Sequence, residues 1–172
     1  MIVYDRGSGT TRARPTLVTG TGHPYCGRTV LQDIENLGHK PVVIKSDQEA
    51  SLVALTKSVR DAWTGEMGLE RSPKGQSRSN GEVERAVQSV HGLARTLKEC
   101  LEQGIGEAIE PKAPIAAWLI EHTGALLNLF SRSDKQDGMT AYWRLRGRPW
   151  RIPLPSFGET VELAHGMHAA PA

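Results

Sequence analysis

Two carboxylates stand where a chain of this kind does chemistry. Asp47 follows the short apolar run Pro41-Val-Val-Ile-Lys45, and Glu84 lies in Gly81-Glu-Val-Glu84, at the head of a long helical pattern. An acid at the carboxyl end of a buried strand borders the crevice in which open α/β sheets bind ligands. A helix starting nearby brings a second acid to the same place. Hard divalent cations such as Mg²⁺ or Mn²⁺ choose oxygen ligands, and paired metals on converging carboxylates are a standard device for cutting and joining phosphodiesters. Plainer readings stand beside this one. Asp47, with Ser46, fits the N-cap of the next helix, and Glu84 fits a first-turn acid that complements the helix dipole. Glu49 and Glu82 read as capping or solvent-facing carboxylates. His91 has no Cys or second His at zinc-ligand spacing.

The elements that must position these residues follow from hydrophobic rhythm. Ile2 to Asp5 reads as a strand, Arg6 to Thr10 as a hairpin turn around Gly-Ser-Gly, and Arg12 to Val18 as the returning strand. Val30, Leu31, Ile34 and Leu37 mark a helix that begins near Pro24 and stops at Gly38. The run 41–45 lacks alternation, which predicts a strand covered on both faces. Ser46-Asp-Gln-Glu49 has the Ser-x-x-Glu shape of a capping box, and Leu52, Leu55, Val59 and Trp63 stripe the helix it would open. Glu66 to Arg71 reads as one more strand and Ser72 to Asn80 as a polar loop. From Val83 through Val90, Ala94 and Leu101 the three-and-four spacing holds over about five turns, with Glu84, Gln88, His91 and Arg95 on the other face. A last helix, Pro114 to Phe130, would bury Ile115, Trp118, Leu119, Leu126 and Phe130. The order predicts an α/β fold, one mixed sheet flanked by helices.

Composition narrows the classes. The chain has 172 residues, 38% hydrophobic and 23% charged, with net charge +2, which suits one soluble globular domain and neither demands nor excludes nucleic acid. No stretch reaches the roughly 20 apolar residues of a membrane span, because 115–130 contains Glu121, His122 and Asn128. No signal peptide opens the chain, so a reducing intracellular setting is expected, with Cys26 and Cys100 as two buried or half-buried thiols rather than a disulfide. Arg144, Arg146, Arg148 and Arg151, interleaved with Trp143 and Trp150, fit a solvated loop or a phosphate-contacting patch equally.

Two stretches, Lys45-Ser-Asp-Gln-Glu49 and Pro73-Lys-Gly-Gln-Ser-Arg-Ser-Asn-Gly-Glu-Val-Glu-Arg-Ala86, resemble the catalytic core of retroviral and retrotransposon integrases. Thirty-six residues separate Asp47 from Glu84, about the family's spacing, and Gly81-x-x-Glu84 matches the pattern that precedes its last carboxylate. The resemblance runs from about Ile2 to about Phe130, with an echo in Met139-Thr-Ala-Tyr-Trp-Arg-Leu-Arg-Gly147. It implies an RNase H-like fold for 1–130, a Pro, Gly and Arg rich extension at 131–172, and an Asp, Asp, Glu site for Mg²⁺ or Mn²⁺ with Asp47 and Glu84 as catalytic metal ligands. It further implies 3′ end processing and strand transfer on element and target DNA, a homo-oligomer, and a nuclear setting. Lys74, Gln76, Arg78, Ser79 and Asn80 would face DNA, continued along the helix by Gln88, His91 and Arg95.

The departure lies at the start. Ile2-Val-Tyr-Asp-Arg-Gly-Ser-Gly9 matches the family's second strand and turn, so the first strand and its Asp are expected upstream of Met1, and Asp5 receives no metal role. Activity of this chain alone is therefore not expected. Two other classes remain: a non-catalytic DNA-binding or assembly module derived from such an element, and an RNase H-type nuclease.

Overall fold

The computed structural model describes residues 1–16, 24–72, 81–132 and 137–160. It opens on a hairpin in which β1 (Ile2–Tyr4) runs antiparallel to β2 (Thr11–Ala13), Val3 opposite Arg12. Asp5 makes the turn. Its carboxylate accepts from the amides of Gly7 (3.2 Å) and Ser8 (2.8 Å) and from the Ser8 hydroxyl (2.5 Å), and Gly9 takes the φ of +80° that the reversal requires. The returning strand starts one residue earlier than the sequence suggests; residues 17 and 18 lie outside the described residues.

α1 (Pro24–Leu37) follows, turning Cys26, Val30 and Ile34 inward, and Gly38 ends it at φ +74°. β3 (Val42–Ser46), α2 (Ala50–Ala62) and β4 (Met67–Arg71) then form a βαβ unit whose strands pair in parallel, Val42 opposite Met67 and Ser46 opposite Arg71. Cys26, Val30 and Ile34 of α1 meet Leu55 and Val59 of α2 in one buried cluster, against which Val3, Val42, Ile44 and Trp63 pack. α3 (Gly81–Ile105) buries Ala86, Val90 and Ala94. α4 (Pro114–Phe130) lies on β2: the Asn128 side chain accepts from the Thr11 amide (2.7 Å) and donates to the Thr11 carbonyl (2.8 Å), covering the outer edge of β2 as a neighbouring strand would. α5 (Ala141–Arg146), capped by the Thr140 hydroxyl and ended at Gly147, was not foreseen.

The fold is mixed α/β. Several details differ from expectation. The described strands form two sheets of two strands instead of one. β3 is not covered on both faces, since Val43 is 61% exposed and Lys45 is exposed too. The capping box does not form: α2 begins at Ala50 with Glu49 as N-cap and no side-chain cap bond, while Ser46 is still in β3. α4 is rotated, leaving Trp118 72% and Phe130 55% exposed and burying Leu119, Thr123 and Gly124. Close approach explains the rotation, because a Cβ on Gly124 would sit 3.1 Å from Ala13 of β2. Cys26 is buried and Cys100 is exposed, both as free thiols.

Candidate functional site

Between the two sheets lies a cleft of about 590 Å³ whose walls include the consecutive residues Met1 to Asp5 and Val42 to Asp47. A sheet face contributes every second residue to a wall, whereas a strand edge contributes consecutive ones. Hydrogen bonding agrees with an edge. Met1 and Arg14 exchange both backbone bonds (2.8 and 2.9 Å), so Met1, Val3 and Asp5 direct their backbone groups to β2, and Ile2 and Tyr4 direct theirs away from it. In β3 the Val42 amide donates to Glu66 (3.1 Å) and the Ser46 carbonyl accepts from Ser72 (3.0 Å), so Val43 and Lys45 face away from β4. The cleft is a slot between two strand edges.

Asp47 ends the β3 wall, and Glu84 and Gln88 reach the same slot from the first turns of α3. Asp47 is exposed and lies outside both β3 and α2, which removes the cap reading for it. Glu84 is exposed within the first turn of α3, so its dipole role and a ligand role are compatible. Beside Asp47, the Gln48 amide donates to the Ser72 carbonyl (2.9 Å) and ties the start of α2 to the end of β4. Sequence reasoning gave Gln48 no role; nothing in its type or spacing marks that bond.

Asp5 borders the slot as well, but its carboxylate is engaged in the turn and by His39 Nε2 at 3.1 Å. Burial pushes its pKa up, yet the bonds from Ser8, His39 and Gly7 outweigh that and hold it below the usual carboxylate value. Its lone pairs serve the hairpin. Glu82 is also engaged, with Arg6 Nε at 2.8 Å.

Gln88, His91 and Arg95 are exposed along α3 in register with Glu84, on the face away from buried Ala86, Val90 and Ala94. Lys74, Gln76, Arg78, Ser79 and Asn80 lie outside the described residues. In the basic tail Arg144 is occupied, by Asp137, by the Ser8 carbonyl (2.9 Å) and by the Met139 carbonyl (3.0 Å), while Arg146, Arg148 and Arg151 are exposed.

One charged cluster escaped the sequence reading altogether. Asp33, fully buried in α1, receives Arg14 Nη2 at 2.6 Å and Nε at 3.3 Å, with Arg12 Nε at 3.8 Å. The signal available was an acid between the core positions Val30 and Ile34, opposite a strand of alternating arginines.

Asp47 and Glu84 each carry the hard oxygen donors a Mg²⁺ or Mn²⁺ ion prefers, and both border the slot. Among the described residues no group of three or more His, Cys, Asp or Glu side chains is placed to hold a metal. Among the described residues no helix is long and apolar enough to cross a membrane. Compared with known proteins, the chain matches no family model, and no curated protein matches it.

Proposed function

We propose that this chain is the greater part of an integrase catalytic core of the retroviral and long-terminal-repeat retrotransposon kind, with RNase H-like architecture, acting on element and target DNA. The observation that carries the reading is that Asp47 and Glu84, singled out by motif and spacing, border one slot between two strand edges. A strand seated there would join the half-sheets into one mixed sheet and could bring a third carboxylate beside the pair. With that third acid, Asp47 and Glu84 would hold Mg²⁺ or Mn²⁺. When bound, the metal supplies activation of water or of a DNA 3′ hydroxyl and charge stabilisation at the phosphate.

The chain's own part is positioning. Gln88, His91 and Arg95 lie along the exposed face of α3 and would track a DNA backbone, giving binding that weakens with salt and is largely indifferent to sequence. The decisive experiment is a strand-transfer assay with element-end oligonucleotides, using the chain joined at Met1 to a strand that carries an Asp. The expected result is Mg²⁺- or Mn²⁺-dependent joining that Asp47→Asn or Glu84→Gln reduces at least a hundredfold, removal of one charge ligand being of order 3 kcal/mol in barrier. Full activity of the double variant refutes the reading.

A second reading is a non-catalytic DNA-binding or assembly module derived from such an element. Calorimetric titration with Mn²⁺ separates the two. DNA binding with no metal uptake, even in the strand-extended chain, selects the second.

A further inference from the structure

Beyond α5 the chain runs from Arg148 to Thr160 in neither helix nor strand, yet it is anchored at two points. At the near end the Trp150 ring meets Tyr142 of α5 edge-on, 5.4 Å between centroids, and its Nε1 donates to the Ile152 carbonyl (2.5 Å). At the far end the Phe157 ring lies 5.0 Å from His122 of α4. Gly158, at φ +86°, comes so close to α3 that a Cβ there would sit 2.5 Å from Leu101. Between the anchors every residue from Arg151 to Ser156 is exposed, Ile152 at 62% and Leu154 at 38%.

Covalent geometry keeps this stretch extended. Pro153 and Pro155 hold φ at about −65°, and each pushes the residue before it, Ile152 or Leu154, out of the helical region. The same prolines remove the amide at alternate positions, so one side of the stretch cannot donate to a neighbouring strand and it is unsuited to completing a sheet. None of residues 148–156 borders the slot. The charge of the stretch is one-sided: Arg148 and Arg151 are exposed, and Glu159, the nearest acid in sequence, accepts from the Ser156 amide (2.9 Å).

A single exposed leucine is ordinary. An extended, proline-fixed run that displays two apolar side chains and is held at both ends is the form in which an aromatic-lined groove reads a chain. Ile152, Pro153, Leu154 and Pro155 offer nothing to a phosphate, so the arginines beside them fit the acidic rim of a protein groove better than a DNA backbone. We propose that Arg148–Pro155 is a docking segment for a partner protein whose groove is lined by aromatic rings and rimmed by carboxylates. The rings would pack on the prolines and on Ile152 and Leu154, and the rim would pair with Arg148 and Arg151. Because the segment is straight and tethered before it binds, docking orders little additional chain.

The test applies the 172-residue chain, labelled at the exposed thiol of Cys100, to an array of purified SH3, WW and EVH1 domains, which carry grooves of this kind. At least one domain is expected to bind, and Pro153→Ala with Pro155→Ala to weaken that binding about tenfold or more. Arg148→Gln with Arg151→Gln is expected to weaken it about threefold and to flatten its salt dependence, with Lys57→Gln on exposed α2 as the charge control. All the substituted positions are exposed, so thermal unfolding of each variant should match the wild type. An array in which no domain binds overturns the proposal, as does binding that survives the proline substitutions or that loses no more from the arginine pair than from Lys57. A labelled DNA duplex is the second probe: affinity for it that falls about tenfold in the arginine variant, with no domain bound, assigns the segment to nucleic acid instead. Neither metal nor element DNA enters the array measurement, so its result is independent of the strand-transfer assay.

Discussion

Asp33 and Asp137 show how differently one carboxylate weighs in two surroundings. Asp33 has no exposed side-chain surface and is matched by Arg14, so removing its charge leaves a guanidinium inside without its partner. Asp33→Asn is expected to cost about 3 kcal/mol of stability, since breaking one side of a buried pair is far more damaging than replacing both. Urea unfolding measures it, and a loss below about 1 kcal/mol would show the pair to be dispensable. Asp137 lies near the surface, where hydrogen bonds from Arg144 and from the Met139 amide hold its carboxyl at about 2. A folded pKa below the unfolded one stabilises the protein above the unfolded value, near 4, and that contribution fades as pH falls toward 2. The wild type should therefore exceed Asp137→Asn in urea midpoint at pH 6, with the gap closing between about pH 4 and pH 2. That Asp47 follows a strand and that Glu84 lies in the first turn of a helix was legible from sequence, because each sits beside a strongly patterned element. Asp33 was not, because its partners are on β2, and neither helix nor strand rhythm reports a long-range charge match.

Elements with one apolar stripe were read correctly except at Val83, which α3 leaves exposed, and the one apolar nearly all round was read in the wrong rotation. α1 and α3 each alternate core and solvent positions, so Val30 with Ile34, and Val90 with Ala94, could be placed inward from spacing alone. α4 carries Ile115, Trp118, Leu119, Leu126, Leu127, Leu129 and Phe130 around its circumference, and hydrophobicity cannot choose a face there. Steric fit chooses instead. Thr123 and Gly124 are the surface that lets the helix backbone approach β2, and the two large aromatics are left outside. Gly124→Val should destabilise by about 2 kcal/mol through overpacking against Ala13. Trp118→Ala, by contrast, should change stability by less than about 0.5 kcal/mol. If instead the tryptophan substitution were the costly one in thermal or urea unfolding, the rotation of α4 described above would be wrong. The capping motif misled for a related reason: β3 pairs with β4 through Ser46, so the strand ladder claims the residue the cap would need.

At the scale of the molecule, the two half-sheets explain both what was foreseen and what was not. Element types and order through α4 followed from periodicity, but pairing between strands is a long-range property that spacing does not encode, and the single sheet expected from sequence resolves into β1–β2 and β3–β4. The outer edge of β2 is covered by Asn128, whereas the β1 edge that carries Ile2 and Tyr4 faces the slot. Amide exchange makes that asymmetry measurable. Ile44 directs its backbone to β4, and Val43 directs its own to the slot, so the Val43 amide should exchange at least tenfold faster than that of Ile44 although the two are neighbours in one strand. Seating a strand in the slot should slow Val43 toward the Ile44 rate and leave Ile44 nearly unchanged, because only the first gains a partner. Equal protection of the two amides in the chain as it stands would mean that the β3 edge is already paired. The cleft beside Asp47 and Glu84 would then be a surface depression with no room for the strand on which a complete metal site depends.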